Sequence, residues 1–209
     1  MSRNLDRRSV KLARFYPIVP DIGWLERIVP LGVKFVQLRI KDAARADIAE
    51  QTRRALAVTK AHGSQLILND YWDVALETGA DFVHLGQDDL RAADLSALRN
   101  SGIRFGISTH DEAELATALA AKPDYVALGP IYETKLKVMP WAPQGLDRLR
   151  KWRKAIGALP LVAIGGLTPE RAPAVAAAGA DSLAVITDFV TAEDPEARIR
   201  TWLRKVETK

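Results

Sequence analysis

The sequence predicts a closed (β/α)₈ barrel, a parallel sheet wrapped by helices. Three observations predict it. Short, nearly continuous apolar runs alternate with longer segments of helical period, as strands covered on the outside by helices require. The alternation recurs eight times in 209 residues, roughly 26 residues per unit, close to the lower size limit of such a barrel. Polar residues gather at the ends of many runs rather than at one place. A doubly wound open sheet, the structural alternative, would need its crevice at one switch point, with a glycine fingerprint in the first turn. Here that turn reads VPDIGW, from Val19 to Trp24, and has no such fingerprint.

Taken in order, the strand candidates are RFYPIV around Phe15, KFVQLRI ending at Ile40, QLILN ending at Asn69 and DFVHLG ending at Gly86. They continue with RFGIS ending at Ser108, YVALGP ending at Pro130, LVAIGG ending at Gly166 and SLAVIT ending at Thr187. Between them, Asp42 to His62 carries Ala, Ile and Leu at spacings of three and four and predicts a helix. Asp70 is placed to cap the segment running to Thr78, and Asp111 the segment EAELATALA. Thr168-Pro169-Glu170 reads as a helix start, with threonine as cap and proline at the first helical position. Gly79-Ala80-Asp81 and Gly179-Ala180-Asp181 each end a helix in a left-handed glycine and lead into a strand. The domain expected is residues 15–209, preceded by a basic segment, 1–14, that reads as a solvated helix (Arg3, Arg7, Arg8, Lys11, Arg14).

Composition narrows the class. Hydrophobic residues make up 48% and charged residues 27%, the balance of a soluble globular chain. No apolar run approaches the ~18 residues of a membrane span, and the basic start lacks the apolar core of a signal peptide. No cysteine is present, which removes disulfides and thiolate chemistry and suits a reducing cytoplasm. The net charge of +4 would favour anionic partners. The cations are nevertheless scattered among acids, without interleaved aromatics, so neither nucleic acid nor a membrane is the expected partner. Oligomeric state, homo-oligomer included, is left open.

Chemistry concentrates at the strand ends. Gln37, Arg39 and Lys41 lie two apart in VQLRIKD and project to one side, while Leu38 and Ile40 face the helices. Three long polar side chains directed into a barrel need a partner. Either they form a salt-bridge cluster with Asp42 or a neighbouring acid, or they make an anion clamp, Arg39 forking onto phosphate oxygens beside Lys41. Asp70, Asp88 and Asp89 follow the next two strands. Two carboxylates facing such a clamp would suit Mg²⁺ bridged to a diphosphate, although Asp70 would also serve as a cap and one of Asp88 and Asp89 as a turn residue. Gly165-Gly166 before the last strand permits close approach of backbone N–H groups to an anion, where barrels often bind a phosphate. His84 has the parity to point inward, as a satisfied core residue or a ligand contact. No general-base constellation stands out, so ion stabilisation is the chemistry expected.

These phrases, in this order, resemble the thiamine phosphate synthase family from VQLRIKD through LILND, VHLGQDDL, FGIST, YVALGPIY, APQGL and VAIGGLTPE to AVIT. The resemblance implies a TIM barrel that joins a hydroxymethylpyrimidine diphosphate to a hydroxyethylthiazole phosphate, with Mg²⁺, giving thiamine phosphate and pyrophosphate. It puts pyrimidine and diphosphate contacts on Gln37, Arg39, Lys41, Asn69, Ser108 and Lys137, metal ligands on Asp70 and Asp89, and thiazole-phosphate contacts on Thr134, Gly166, Ile186 and Thr187. His84 joins the substrate contacts by its inward parity. Arg39, Lys41, Lys137 and Ser108 are the residues expected to carry catalysis. The sequence departs from the family in ETKLK, where Glu133 replaces a proline and Leu136 a threonine. An ungapped match prefers Lys137 over Lys135 as the diphosphate lysine.

Two rivals share the barrel. A thiazole tautomerase branch places a catalytic histidine where this chain has Pro130. A metabolite-binding regulator without turnover would be compatible with the altered ETKLK loop, but it would have less need of both aspartates and all the clamp cations.

Overall fold

Each strand of this protein must bury both of its faces, and the fold does so by closing the sheet on itself. The computed structural model describes residues 12–134 and 142–207. Most of the basic segment expected over 1–14, and Lys135, Leu136 and Lys137, lie outside the described residues. The strands are β1 (Phe15–Val19), β2 (Phe35–Leu38), β3 (Gln65–Asn69), β4 (Phe82–Leu85), β5 (Arg104–Thr109), β6 (Tyr125–Leu128), β7 (Leu161–Ile164) and β8 (Ser182–Val185). All pair in parallel with their sequence neighbours, and β8 returns to β1 through Phe15↔Leu183 and Tyr16↔Ala184.

Alternation along the strands divides the core. Tyr16, Phe35, Ile67, Phe82, Tyr125 and Val162 fill the barrel interior, whereas Val36, Leu38, Leu68, Val83, Leu85 and Val126 pack outward under the helices. The helices are α1 (Ile22–Ile28), α2 (Arg45–Ala61), α3 (Trp72–Thr78), α4 (Gln87–Ala92), α5 (Leu95–Asn100), α6 (Glu112–Ala120), α7 (Gly145–Ile156), α8 (Ala172–Ala177), α9 (Thr187–Val190) and α10 (Pro195–Glu207). Among the described residues, no helix is long and apolar enough to cross a membrane.

Three of the expected helix starts are corrected. Helix α2 begins at Arg45 rather than Asp42, whose φ of 56° is left-handed. Thr168 opens a turn, its carbonyl accepting from the N–H groups of Arg171 and Ala172, so α8 starts only at Ala172. Asp70 does not cap α3, which has Tyr71 at its N-cap position and no side-chain cap bond; its carboxylate is engaged elsewhere. Asp111 does cap α6, accepting from Glu114 N at 2.8 Å. Both glycines of the repeated Gly-Ala-Asp phrase adopt positive φ, 80° at Gly79 and 110° at Gly179. The aspartates that follow tie the strand starts together. Asp181 accepts from the Leu161 N–H at 2.8 Å and pairs with Arg153, and Asp81 accepts from Gln65 Nε2 at 2.8 Å and pairs with Arg104. These ties lie at the N-terminal rim, the stabilising end of such a barrel, and leave the C-terminal rim for chemistry.

Candidate active site

Strand parity delivers the polar side chains to that C-terminal rim. Gln37 is 2% exposed inside the barrel, in register with Ile18 of β1 and Ile67 of β3. Arg39 and Lys41, farther along the same side, rise towards solvent: Arg39 is half-buried and Lys41 exposed. Lys41 Nζ lies 2.8 Å from Asp70 Oδ2. The salt-bridge partner is therefore Asp70 and not Asp42. Arg39 has no ion pair among the described residues.

Asp70 leaves β3 with φ of 66°, a left-handed geometry uncommon outside glycine, asparagine and aspartate. Its N–H donates to His84 O at 2.8 Å, which fixes the turn that presents the carboxylate. Asp89, in the first turn of α4, faces it. Burial first, and then the Asp70 carboxylate within hydrogen-bonding reach, raise the Asp89 pKa, with Lys41 acting in the opposite sense. Gly86 leaves room for this acid, since a Cβ there would come within 2.9 Å of Asp89 Oδ2. Asp88 is exposed and pairs with Arg91, so Asp89 is the member of the pair that joins the cluster. Asn69 stands beside them, 4% exposed, and its Nδ2 finds no hydrogen-bond partner among the described residues.

Below this cluster runs a buried chain of polar groups. Gln37 Nε2 donates to the Tyr16 hydroxyl at 2.6 Å, and that hydroxyl lies 3.0 Å from the hydroxyl of Tyr125. The Tyr125 hydroxyl meets His84 Nδ1 at 2.7 Å, and His84 Nε2 meets Ser108 Oγ at 2.8 Å. His84 is 8% exposed with both ring nitrogens satisfied, so it reaches the mouth through Ser108. Burial chiefly, assisted by the charge of Arg39 and opposed by Asp70, lowers its pKa to about 4 and keeps it neutral. Burial likewise raises both tyrosine pKa values. Sequence reasoning missed Tyr16 and Tyr125. The available signal was a tyrosine at an inward strand position, whose hydroxyl must find a partner when buried.

The other half of the mouth is built around the end of β7. Gly165 and Gly166 have φ of 99° and 62°. A Cβ on Gly165 would lie 2.6 Å from Pro130 Cα, and one on Gly166 2.5 Å from Glu133 O. The pair is thus required to seat the turn against the segment after β6, whatever else it binds. Ile186 and Thr187 are half-buried where β8 passes into α9. The next residue, Asp188, accepts from Arg198 at 2.8 Å and from Trp202 Nε1 at 2.7 Å. Thr134 is half-buried at the edge of the described residues; Lys137 is beyond it.

The family model described as Thiamine monophosphate synthase matches residues 16–189. A thiamine-phosphate synthase from Rhizobium etli is 59% identical over 194 residues, covering 93% of this chain and 95% of the relative. One from an Enterobacter species is 46% identical over 179 residues, covering 86% and 85%. Among solved structures, a thiamine phosphate pyrophosphorylase from Pyrococcus furiosus superposes with a TM-score of 0.81 at 26% identity, covering 93% of this chain and 95% of that one.

Proposed function

The chain belongs to the thiamine monophosphate synthase family and is a transferase that forms thiamine phosphate; from that premise we propose how its own residues divide the work. The observation that carries the proposal is the cluster of Arg39, Lys41, Asn69, Asp70 and Asp89 at one side of the rim. Two half-buried carboxylates pressed together call for a cation, and Lys41 forms its ion pair with Asp70. Among the described residues no group of three or more His, Asp or Glu could hold a metal. Two carboxylates completed by phosphate oxygens and water is the ordinary environment of Mg²⁺. Asp70 and Asp89 suit that ion and would hold it, and when bound it neutralises charge on a diphosphate.

Gln37 and Ser108 contact the pyrimidine, and Arg39, Lys41, Asn69 and Lys137 hold its diphosphate. The methylene carbon–oxygen bond breaks with its electron pair leaving on pyrophosphate, whose developing charge Arg39, Lys41 and Lys137 would offset. The thiazole nitrogen then forms the new carbon–nitrogen bond. Thr134, Gly166, Ile186 and Thr187 position that second ring through its phosphate. Neutral His84 and two tyrosines of raised pKa supply no base, and none is needed, since thiazole nitrogen attacks through its lone pair. The absence of cysteine supports a reducing compartment, and we assign the reaction to the cytoplasm. The test is release of pyrophosphate and formation of thiamine phosphate when both substrates and Mg²⁺ are supplied to folded protein. Release that requires all three is expected; no product at saturating substrates overturns the assignment. Lys137→Ala should depress turnover far more than Lys135→Ala, and the reverse order would move the diphosphate contact to Lys135.

A further inference from the structure

The buried chain from Gln37 to Ser108 crosses the barrel through β1, β6, β4 and β5, and only two arrangements of protons give both buried tyrosine protons and the imidazole N–H an acceptor within it. A tyrosine hydroxyl has one proton, and neutral imidazole has one N–H. Gln37 Nε2 donates to Tyr16, so the Tyr16 proton goes to Tyr125 and the Tyr125 proton to His84 Nδ1. His84 must then carry its hydrogen on Nε2 and donate it to Ser108 Oγ. At the two ends, the Gln37 carbonyl oxygen is left to accept from a ligand, and the Ser108 hydroxyl is left to donate to one. Turning the Gln37 amide over would reverse every bond in the series and convert Ser108 from donor to acceptor.

We propose that Tyr16, Tyr125 and His84 are positioning residues that lock Gln37 and Ser108 into opposite hydrogen-bonding senses, so that the pocket selects a ring bearing an amino group over one bearing a carbonyl at the same place. The inference rests on the pyrimidine site proposed above and adds residues that do not touch the substrate. A ring amino group donates to the Gln37 oxygen while Ser108 donates to an acceptor elsewhere on the substrate. A ring carbonyl would require the amide to turn, and the whole chain would then oppose it by withdrawing the Ser108 donor. Selectivity therefore comes from the connected series rather than from one contact. The walls hold the series in line. The Tyr125 ring stacks on His84 at 5.5 Å and meets Tyr16 edge-on at 6.3 Å, and Gly106 makes way for it, because a Cβ there would lie 2.0 Å from Tyr125 Cζ.

The experiment compares kcat/KM for the amino-pyrimidine diphosphate with that for the analogue carrying a carbonyl in place of the amino group. It uses the full chain and its Tyr125→Phe and Tyr16→Phe variants. Tyr125→Phe cuts the series in the middle, and the amino-over-carbonyl ratio should fall by about two- to tenfold, the scale of one neutral hydrogen bond. A variant in which both substrates lose activity in proportion overturns the proposal, since a purely structural role would act on both alike. Should a variant fail to fold, or the wild-type chain turn over neither substrate, ¹⁵N NMR of the wild-type histidines still decides the proton order. His62→Gln and His110→Gln identify the His84 signals by elimination. Hydrogen on Nε2 with a bare Nδ1 supports the locked series, and hydrogen on Nδ1 overturns it. Failure of turnover with this tautomer present would overturn the synthase mechanism alone.

Discussion

Asn69 is almost fully buried, yet its amide nitrogen has no hydrogen-bond partner among the described residues. Leaving a buried donor unmet costs about 1–3 kcal/mol, a cost that a substrate oxygen would remove. Asn69→Leu, close in volume, should leave the Tm of the ligand-free protein unchanged or higher and lower kcat/KM by at least about tenfold. Thermal melts and steady-state kinetics on one preparation check both halves; a lower Tm with full activity would make Asn69 architectural. At this scale the sequence was only partly legible. Gln37, Arg39 and Lys41 could be assigned to one side from strand parity alone; the register covers Gln37 and ends at Leu38, while the alternate residues Leu38 and Ile40 pack in the outer core. Asp70 was ambiguous between cap and ligand because both roles need a carboxylate just after a strand, and only the left-handed turn and the Lys41 pair separate them. Tyr16 and Tyr125 are 109 residues apart, so no local pattern could reveal that their hydroxyls meet.

Elements convert these contacts into a rigid rim. Helix α10 reaches the end of β8 through a two-pronged Arg198–Asp188 pair, and Trp202 adds a third bond to the same carboxylate. Trp202 also stacks on Phe15 of β1 at 5.3 Å, so the last helix ties the first strand to α9, which carries Thr187. Arg198→Ala should cost about 1.5–3 kcal/mol, as expected for hydrogen bonds to a charged group. It should also raise KM for the thiazole phosphate while leaving KM for the pyrimidine diphosphate near its wild-type value. Equal changes in the two constants would argue against a local effect. Gly106→Ala acts on a strand instead: its methyl would displace the Tyr125 ring, and overpacking of this kind costs about 1–3 kcal/mol, measurable by denaturant unfolding. Unchanged stability would mean that the ring moves freely. The eight strands were legible because each is a short apolar run buried on both faces. The start of α8 was not, because Thr168-Pro169 has the composition of a cap whether or not the helix follows at once.

Across the whole molecule, the closed sheet turns one rim into a meeting place for residues from most strands, and a ligand there braces elements far apart in sequence. A ligand that binds only the folded state stabilises it by about 2.7 kcal/mol at a hundred times its dissociation constant. For a chain of this size each kcal/mol moves Tm by about 2–4 °C, which gives a shift of about 5–10 °C. Pyrophosphate alone meets the cations but also the facing Asp70 and Asp89 carboxylates. Mg²⁺ alone meets those carboxylates but must keep water at its remaining positions. Each should therefore shift Tm little by itself, and the two together should give more than the sum. Asp89→Asn removes one ligand and the carboxylate repulsion at once. Its metal-free Tm should rise by up to about 2–4 °C, the scale of a partly exposed charge pair, while the combined effect of Mg²⁺ and pyrophosphate collapses towards that of pyrophosphate alone. Melting curves for both proteins under the four ligand conditions test this without any turnover. Merely additive shifts in the wild type would separate the metal from the diphosphate and dismantle the shared site.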